Sequence, residues 1–210
     1  MTEQCSEMVY MVDDDAAMRD SITELVESVG MQAQTYPSAE AFLDVCEPSH
    51  PCCLVLDVRM PGMSGLTLLE RLQGQGASLP VILLTSHGDV PMAVDSMKGG
   101  AFDFVQKPYR DQALLDRIQA ALSLDRDRQQ VRETEHRLGQ CVNTLTPRER
   151  HVFDQMLTGS TSKEIARALE ISPRTAEVHR RNVLRKFNVH STKALLALFA
   201  PASNPAQRES

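Results

Sequence analysis

Short apolar runs alternate with amphipathic stretches through the first 125 residues of the chain. Runs short enough for strands lie at residues 8–12, 32–36, 52–57, 79–84 and 102–105. Apolar residues recur at helical spacing in residues 17–29, 38–46, 64–72 and 90–98, and again from about Asp111. Strand and helix alternate five times. The pattern therefore predicts an α/β domain with a five-stranded, parallel, doubly wound sheet.

Polar residues stand where four of these strands end. Asp13 and Asp14 follow the first strand, Asp57 ends the third, Thr85 follows the fourth and Lys107 follows the fifth. Because the carboxyl ends of parallel strands meet at one edge of the sheet, we expect these residues to lie together. Three carboxylates would repel one another unless a cation joined them, and Mg²⁺ prefers such oxygen ligands.

The expected cluster could neutralise a phosphoryl group. Asp57 would be the carboxylate nucleophile, Lys107 would add positive charge, and Thr85 would donate a hydrogen bond. Residues 52–65 alone leave two interpretations open, because an aspartate before a turn can also simply end a strand. Asp15 lies beyond the strand end and is better suited to cap the first helix than to bind metal.

A polar segment follows the last helix of this region. Residues 125–137 contain Val131 as their one apolar residue, and the first glycine after them is Gly139. This pattern predicts that the helix continues into solvent as a linker, while a disordered linker stays open as an alternative. A thin apolar seam of Leu115, Ile118, Leu122, Val131 and Leu138 is too sparse for a coiled coil.

Residues 143–187 predict three further short helices. The first begins at the capping box Thr146-Pro147-Arg148-Glu149 and ends at Gly159. The second covers residues 162–169, and the third starts behind the cap Ser172-Pro173 and reaches Phe187. Two helices joined by a tight turn in a basic segment indicate a helix-turn-helix.

The third of these helices has two distinct sides. The buried side is predicted to hold Ala176, Val183, Leu184 and Phe187, and the outer side Arg174, Glu177, Val178, Arg181 and Arg185. In a major groove Arg181 could reach guanine, Glu177 could accept from cytosine, and Val178 could touch a thymine methyl. Arg180 and Lys186, on the flanks, would contact phosphates. The alternative is a solvated basic face of a small helical bundle.

Charge divides the chain in the same way. Residues 1–142 carry 11 Lys and Arg against 22 Asp and Glu, a charge of −11, and residues 143–210 carry 11 against 6, a charge of +5. The C-terminal part thus suits a polyanion. Five cysteines without paired spacing, no apolar run of about 18 residues, and no signal-peptide pattern predict a cytoplasmic protein with reduced thiols and no membrane association.

The N-terminal motifs resemble the receiver domain of two-component response regulators over residues 6–125. The resemblance rests on Asp13-Asp14, Leu56-Asp57, Met60-Pro61-Gly62, Thr85-Ser86 and Phe104-x-x-Lys107-Pro108. It implies that Asp57 accepts phosphate from a sensor histidine kinase, and that Thr85 and Lys107 bind the phosphoryl oxygens. It also implies that Mg²⁺ is held by Asp14, Asp57 and the main-chain carbonyl of Arg59, with Asp13 acting through water. Phe104 would move inward on activation, and the Lys107–Pro108 peptide would be cis.

Residues 143–200 resemble the LuxR-type DNA-binding domain of NarL/FixJ regulators. The segments LTPRERHVF and SKEIARALEISPRTAEVHRRNVLRKFNV carry this resemblance. It implies that Glu177, Val178 and Arg181 face the bases, that Thr175 and His179 are structural or contact phosphate, and that a fourth helix at residues 192–199 serves dimerisation. The predicted DNA-binding set is Lys163, Arg174, Thr175, Glu177, Val178, Arg181, Arg185 and Lys186.

The sequence as a whole predicts a receiver domain at residues 1–125, a helical linker at 126–142, a DNA-binding domain at 143–200 and a disordered tail at 201–210. We expect a transcriptional regulator, and not an enzyme, that dimerises when phosphorylated. It would bind promoter DNA and act with RNA polymerase, with activation as the expected effect.

Two other functions stay open at this point. A Mg²⁺-dependent phosphohydrolase also uses an aspartyl nucleophile at a strand end. Haloacid-dehalogenase-like enzymes carry a second aspartate two residues later, where this chain has Arg59. The second alternative is a DNA-binding protein whose receiver domain pairs two chains independently of phosphate.

Overall fold

The computed structural model describes residues 7–45, 51–86, 97 and 99–199. The chain divides into two compact units, Met1–Val131 and Arg132–Ser210. The predicted helix at residues 90–98, apart from Met97, lies outside the described residues, as does the predicted tail at 201–210. Within the described part of the chain, no helix is both long enough and apolar enough to cross a bilayer.

The first unit contains the predicted parallel sheet. Its described strands are β1 (Met8–Val12), β2 (Gln32–Tyr36), β3 (Cys52–Asp57), β4 (Val81–Thr85) and β5 (Asp103–Gln106). The helices among its described residues are α1 (Ala16–Ser28), α2 (Ala39–Leu43), α3 (Gly65–Gly74) and α4 (Asp111–Asn143). The strands are parallel in the order β2-β1-β3-β4-β5, which confirms the doubly wound prediction.

Each central strand contributes to two cores because alternate side chains point to opposite faces of the sheet. In β3, Leu54 and Leu56 pack on one side with residues of α2 and α3. Val55 packs on the other side with residues of α1 and α4. Every residue of β3 is buried, as expected for a central parallel strand covered on both faces.

Side-chain caps fix where three of these helices begin. Asp15 accepts a hydrogen bond from the N–H of Ala17 at 2.9 Å and is the N-cap of α1, which confirms its predicted capping role. Ser38 caps α2 and Ser64 caps α3. Helix α2 ends at Leu43, earlier than the pattern predicts.

Helix α4 confirms the predicted helical linker. It runs without interruption for 33 residues, so the disordered alternative is wrong. Leu114, Ile118 and Leu122 are buried in the first unit, whereas Val131 is 46% exposed. Beyond this exposed stretch, Leu138 belongs to the core of the second unit.

The second unit is helical. Among the described residues it contains the end of α4 and helices α5 (Pro147–Leu157), α6 (Ser162–Ala168), α7 (Pro173–Lys186) and α8 (Thr192–Phe199). Capping boxes begin α5 at Thr146 and α6 at Thr161. The rings of Phe153 and Phe187 stack in the core with their centroids 5.1 Å apart. Both helices of the predicted helix-turn-helix, α6 and α7, are therefore present.

Candidate functional site

Two buried carboxylates and one ammonium meet at the carboxyl edge of the sheet. Asp13 follows β1, Asp57 ends β3 and Lys107 follows β5. The Lys107 ammonium donates to Asp57 Oδ1 at 2.7 Å and to Asp13 Oδ2 at 3.0 Å. The structure thus brings three of the predicted site residues into direct contact from three different strands.

The two carboxylates hold Lys107 in its charged form. Burial lowers the pKa of Lys107, but hydrogen bonds to Asp57 and Asp13, together with the charges of both, raise it further. The net effect places the pKa above the ordinary value of 10.5. Lys107 is therefore a fixed positive charge beside Asp57 at neutral pH.

Backbone groups orient the remaining oxygens of the two carboxylates. Asp57 Oδ2 accepts from the N–H of Arg59 at 2.8 Å, and Asp13 Oδ1 accepts from the N–H of Asp15 at 2.9 Å. The carbonyl of Asp13 also accepts from the Arg19 guanidinium at 2.7 Å. Asp57 therefore has one oxygen tied to the following loop and the other directed to the ammonium.

The loop after β3 is held against the strand end. Gly62 has a φ of 76°, which favours glycine, and Glu40 Oε1 accepts from the N–H of Met63 at 3.2 Å. A Cβ on Gly65 would lie 2.2 Å from the carbonyl oxygen of Asp57, so a larger residue cannot fit without displacing the backbone. This loop carries Arg59, whose carbonyl was the predicted metal ligand.

Sequence reasoning missed Glu40 and Arg19. Glu40 accepts from the N–H of Met63 in the loop after β3, and Arg19 donates to the carbonyl of Asp13, six residues before it in the chain. Such contacts leave no pattern in the sequence, because neither the residue type nor the spacing specifies the partner.

The other predicted residues of the receiver site lie outside the direct contact of Lys107 with Asp13 and Asp57. Thr85 is buried at the end of β4, and its carbonyl accepts from the N–H of Lys107 at 2.7 Å. The Lys107–Pro108 peptide is cis, as expected. Phe104 is half-buried and packs against the core beneath α2 and α3. Asp14 is exposed next to Asp13.

The oxygen groups at this edge suit a hard cation. Asp13 and Asp57 each place an oxygen within 3.0 Å of the same ammonium, so the pair already stabilises one positive charge jointly. Carboxylate and carbonyl oxygens are also the ligands that Mg²⁺ prefers. The described residues contain no ready-made group of three His, Cys, Asp or Glu side chains arranged as metal ligands. The donor chemistry of the edge nevertheless fits Mg²⁺.

A second candidate site is the outer face of α7. Val178 is 48% exposed, so this face offers one apolar side chain to a partner. Its neighbours on this face are exposed polar or charged residues: Arg174, Thr175, Glu177, Arg181 and Arg185. Lys163 on α6 is also exposed. The structure places seven of the eight predicted DNA-binding residues in solvent.

Lys186, the eighth residue, has partners inside the unit. Its ammonium donates to Glu149 Oε2 and to the carbonyl of Thr144, both at 2.7 Å. This differs from the exposed phosphate contact that the sequence predicts for Lys186. Arg180, predicted to play the same part, also has internal partners, and His179 has its Nδ1 atom buried.

The fold and the two sites together define a class of protein. A parallel sheet with an Asp–Lys pair at its carboxyl edge precedes a helix-turn-helix with a basic outer face. This is the architecture of a signalling protein whose phosphoacceptor domain is joined to a DNA-binding domain. Comparison with known families agrees: residues 9–119 match the response regulator receiver domain, and residues 143–199 match the bacterial regulatory proteins of the luxR family.

Known proteins resemble both parts together. The chain is 43% identical to the transcriptional regulatory protein FixJ of Azorhizobium caulinodans, covering 93% of this chain and 95% of that protein. It is also 43% identical to the transcriptional regulatory protein TdiR of Thauera aromatica, covering 90% of this chain and 83% of that protein. These matches extend across the linker.

Solved structures give the same result. The response regulator StyR superimposes with a TM-score of 0.84 at 42% identity, covering 92% of this chain and 98% of that one. Full-length FixJ from B. japonicum gives a TM-score of 0.56 at 40% identity, covering 91% and 94%. The chain belongs to the NarL/FixJ family of response regulators and is a phosphorylation-dependent transcriptional regulator. Its receiver domain implies a histidine kinase partner, and its luxR-type domain implies DNA binding.

Proposed function

We propose that Asp57 is the phosphoacceptor and that the sheet-edge cluster stabilises the phosphoryl group on it. The contact between the Lys107 ammonium and Asp57 Oδ1 at 2.7 Å carries this proposal. Phosphate transfer from a kinase phosphohistidine would form an acyl phosphate on an oxygen of Asp57 and release the histidine. The new group brings close to two negative charges and three acceptor oxygens, which a fixed cation would balance.

Each neighbouring residue has a part in this proposal. Lys107 binds a phosphoryl oxygen, and Thr85 donates a hydrogen bond to another. Mg²⁺, where bound, neutralises the remaining charge. Its ligands would be Asp57, Asp14 and the carbonyl of Arg59, with Asp13 acting through water. Phe104 moves inward as Thr85 shifts, and this movement changes the surface around β5.

The changed receiver surface would pair two chains. Dimerisation would align two copies of α7 on two half-sites in promoter DNA. Arg181, Glu177 and Val178 would read base edges, and Lys163, Arg174, Thr175 and Arg185 would complete the contact surface. The dimer would act in the cytoplasm, recruit RNA polymerase and activate transcription.

Two features argue against the alternative functions. Arg59 occupies the position where a haloacid-dehalogenase-like phosphohydrolase has its second aspartate, so we propose that the protein has no such activity. A receiver that pairs chains independently of phosphate would have no need for a half-buried lysine that contacts two buried carboxylates. Assays with generic phosphatase substrates would test the first point, and mass measurements with and without a phosphodonor would test the second.

The phosphoacceptor assignment is tested with the full-length protein and a labelled small phosphodonor in Mg²⁺. We expect wild-type protein and Asp127→Asn, which removes an exposed carboxylate on α4, to take up label equally. Asp57→Asn should take up none, stay monomeric and show no phosphodonor-dependent gain in DNA affinity. Equal label uptake by Asp57→Asn would refute the assignment.

A further inference from the structure

The inward side of α7 contains a cation. Ala176, Val183 and Phe187 are buried and lie at positions i, i+7 and i+11 of the helix stripe that faces the core. Arg180 lies at i+4 and is therefore on the same stripe, half-buried. Arg181, one residue later, is rotated by about 100° and is exposed on the outer face.

The Arg180 guanidinium joins three parts of the second unit. Its Nη1 donates to the carbonyl of Ser160 at 2.7 Å, and its Nη2 donates to Thr192 Oγ1 at 2.8 Å. Ser160 immediately precedes Thr161, the N-cap of α6, and Thr192 is the first residue of α8. One side chain of α7 thus contacts the start of the other helix of the helix-turn-helix and the start of α8.

The end of α7 is held in a similar way. Lys186 contacts the carbonyl of Thr144 and the carboxylate of Glu149, which lie just before and within the first turn of α5. The two cations therefore connect α7 to α5, α6 and α8 at separate points along the helix.

These contacts suit positioning better than phosphate binding. A side chain of this helix that binds a DNA phosphate must direct its N–H donors outward, as Arg174, Arg181 and Arg185 do. Arg180 instead directs two donors of its planar fork at neutral oxygens inside the unit, a geometry that the single nitrogen of lysine cannot reproduce. A fork of this kind fixes the rotation and depth of the helix that carries it.

We propose that Arg180 is a positioning residue that sets the orientation of α7 for base readout and does not bind phosphate. Lys186 has the corresponding role at the C-terminal end of the helix. This assignment rests on the proposed DNA-binding surface of α7. It reassigns two of the five basic residues of the helix and leaves Arg174, Arg181 and Arg185 for DNA.

The salt dependence of DNA binding distinguishes the two roles. Each phosphate contact contributes about 0.9 to the slope of log affinity against log salt, whereas a positioning residue contributes none. The probes are a duplex selected from random DNA by the full-length wild-type protein and a scrambled duplex of the same composition. Affinities are measured well below the thermal midpoint of each variant, so that every protein is fully folded.

We expect Arg180→Lys, which keeps the charge but loses the fork, to bind the selected duplex roughly tenfold more weakly. Its affinity for the scrambled duplex and its salt slope should equal those of the wild type. The matched control Arg185→Gln, which removes an exposed charge, should lower the slope by about 0.9 on both duplexes. Wild-type affinity of Arg180→Lys for the selected duplex, with a slope lowered by about 0.9 in Arg180→Gln, would overturn the proposal.

A second measurement needs no DNA. Thr192→Val removes one acceptor of the fork without changing charge. Its effect on the unfolding of the second unit should be non-additive with that of Arg180→Lys, because both remove the same bond. Additive effects would refute the contact. A wild-type protein that selected no DNA sequence would refute the proposed DNA-binding function, while this cycle would still decide whether Arg180 holds α7 to α8.

Discussion

Lys107 balances the charge at the carboxyl edge of the sheet. Its ammonium lies between two buried carboxylates, Asp13 and Asp57, and contacts both. Without it the two carboxylates would lose their shared hydrogen-bond donor and would face each other as like charges. The same residue therefore stabilises the unphosphorylated domain and provides the positive charge that phosphate on Asp57 requires.

This double role makes Lys107→Met a sharp test. We expect the free energy of unfolding of the first unit to fall by about 1–3 kcal/mol at pH 7, as for loss of a charged hydrogen bond. Millimolar Mg²⁺ should restore part of the loss by supplying another cation to the same oxygens. Urea unfolding with Mg²⁺ and with a chelator measures both effects. Lys193→Met, at an exposed position of the second unit, is the control and should change neither.

Gly65 provides a second test at the scale of one residue. A Cβ at this position would meet the carbonyl of Asp57 at 2.2 Å, so Gly65→Ala must displace the strand end that carries the phosphoacceptor. We expect a loss of about 1–3 kcal/mol in stability and slower phosphorylation by a small phosphodonor.

Gly74, at the other end of the same helix, is the matched control for this substitution. A Cβ there meets no atom within 4 Å, so Gly74→Ala should be neutral or should stabilise by up to about 1 kcal/mol. Equal effects of the two substitutions in urea unfolding would contradict a specific steric role for Gly65.

The sequence specified some of these residues and not others. Asp13, Asp57 and Lys107 were predictable because each stands where an apolar run ends, and parallel topology brings such ends together. The inward direction of Arg180 could have been predicted from its place on the stripe of Ala176 and Val183, but an arginine at that spacing also fits a flanking phosphate contact. Its acceptors, one of them a loop carbonyl, become visible only in the folded unit.

At the scale of elements, α4 is bound to the amino-terminal edge of the sheet, opposite the edge that carries Asp57. Buried Asp125 accepts from the N–H of Cys52, the first residue of β3, at 2.9 Å. Arg126 pairs with Glu7, just before β1, and Arg128 donates to the carbonyl of Ser78, which precedes β4. The linker helix thus contacts the opposite end of the strand that carries Asp57.

We expect Asp125→Ala to destabilise the first unit by about 1–3 kcal/mol, because the buried N–H of Cys52 would lose its acceptor. Hydrogen exchange at the amide of Cys52 should rise well above that of the other β3 amides. Asp127→Ala changes an exposed residue two positions further along the helix. It should leave the stability of the first unit and the exchange at Cys52 unchanged. Unaltered exchange at Cys52 in Asp125→Ala would show that this anchor is dispensable.

The element pattern was largely predictable because helix and strand periods differ clearly in this chain. The unbroken α4 was the preferred prediction, since residues 125–137 lack glycine and proline. The anchor at Asp125 could not be predicted, because it depends on which strand end the last turn of the receiver part reaches. The polar pattern of residues 125–137 is the same whether the helix is free in solvent or hydrogen-bonded to the sheet.

At the scale of the whole molecule, two compact units with separate cores share one helix. Their charges differ in sign, and each core draws on residues of its own part of the chain. A variant that weakens one core should therefore leave the other intact. We expect calorimetry of the full-length protein to show two unfolding transitions. Asp125→Ala should lower the transition temperature of the first unit only.

The second unit has its own titratable support in Glu149. This buried carboxylate accepts from Lys186 at 2.7 Å and from the N–H of Thr146 at 2.9 Å. The hydrogen bond from Lys186, then that from the backbone of Thr146, lowers the pKa of Glu149 from 4.5 to about 2. Because the folded pKa lies below the unfolded one, its stabilisation is complete above pH 4.5 and is lost as the pH falls towards 2.

Glu149→Gln should therefore lower the free energy of unfolding of the second unit by about 1–3 kcal/mol at pH 7 and leave that of the first unit unchanged. The difference in free energy of unfolding between variant and wild type should narrow as the pH falls below 4.5. The wild type then loses the stabilisation that its ionised Glu149 provides. Calorimetry from pH 7 to the lowest pH at which the second unit folds measures this difference. A difference that stayed constant over that range would mean that Glu149 supports α7 through packing and not through its charge.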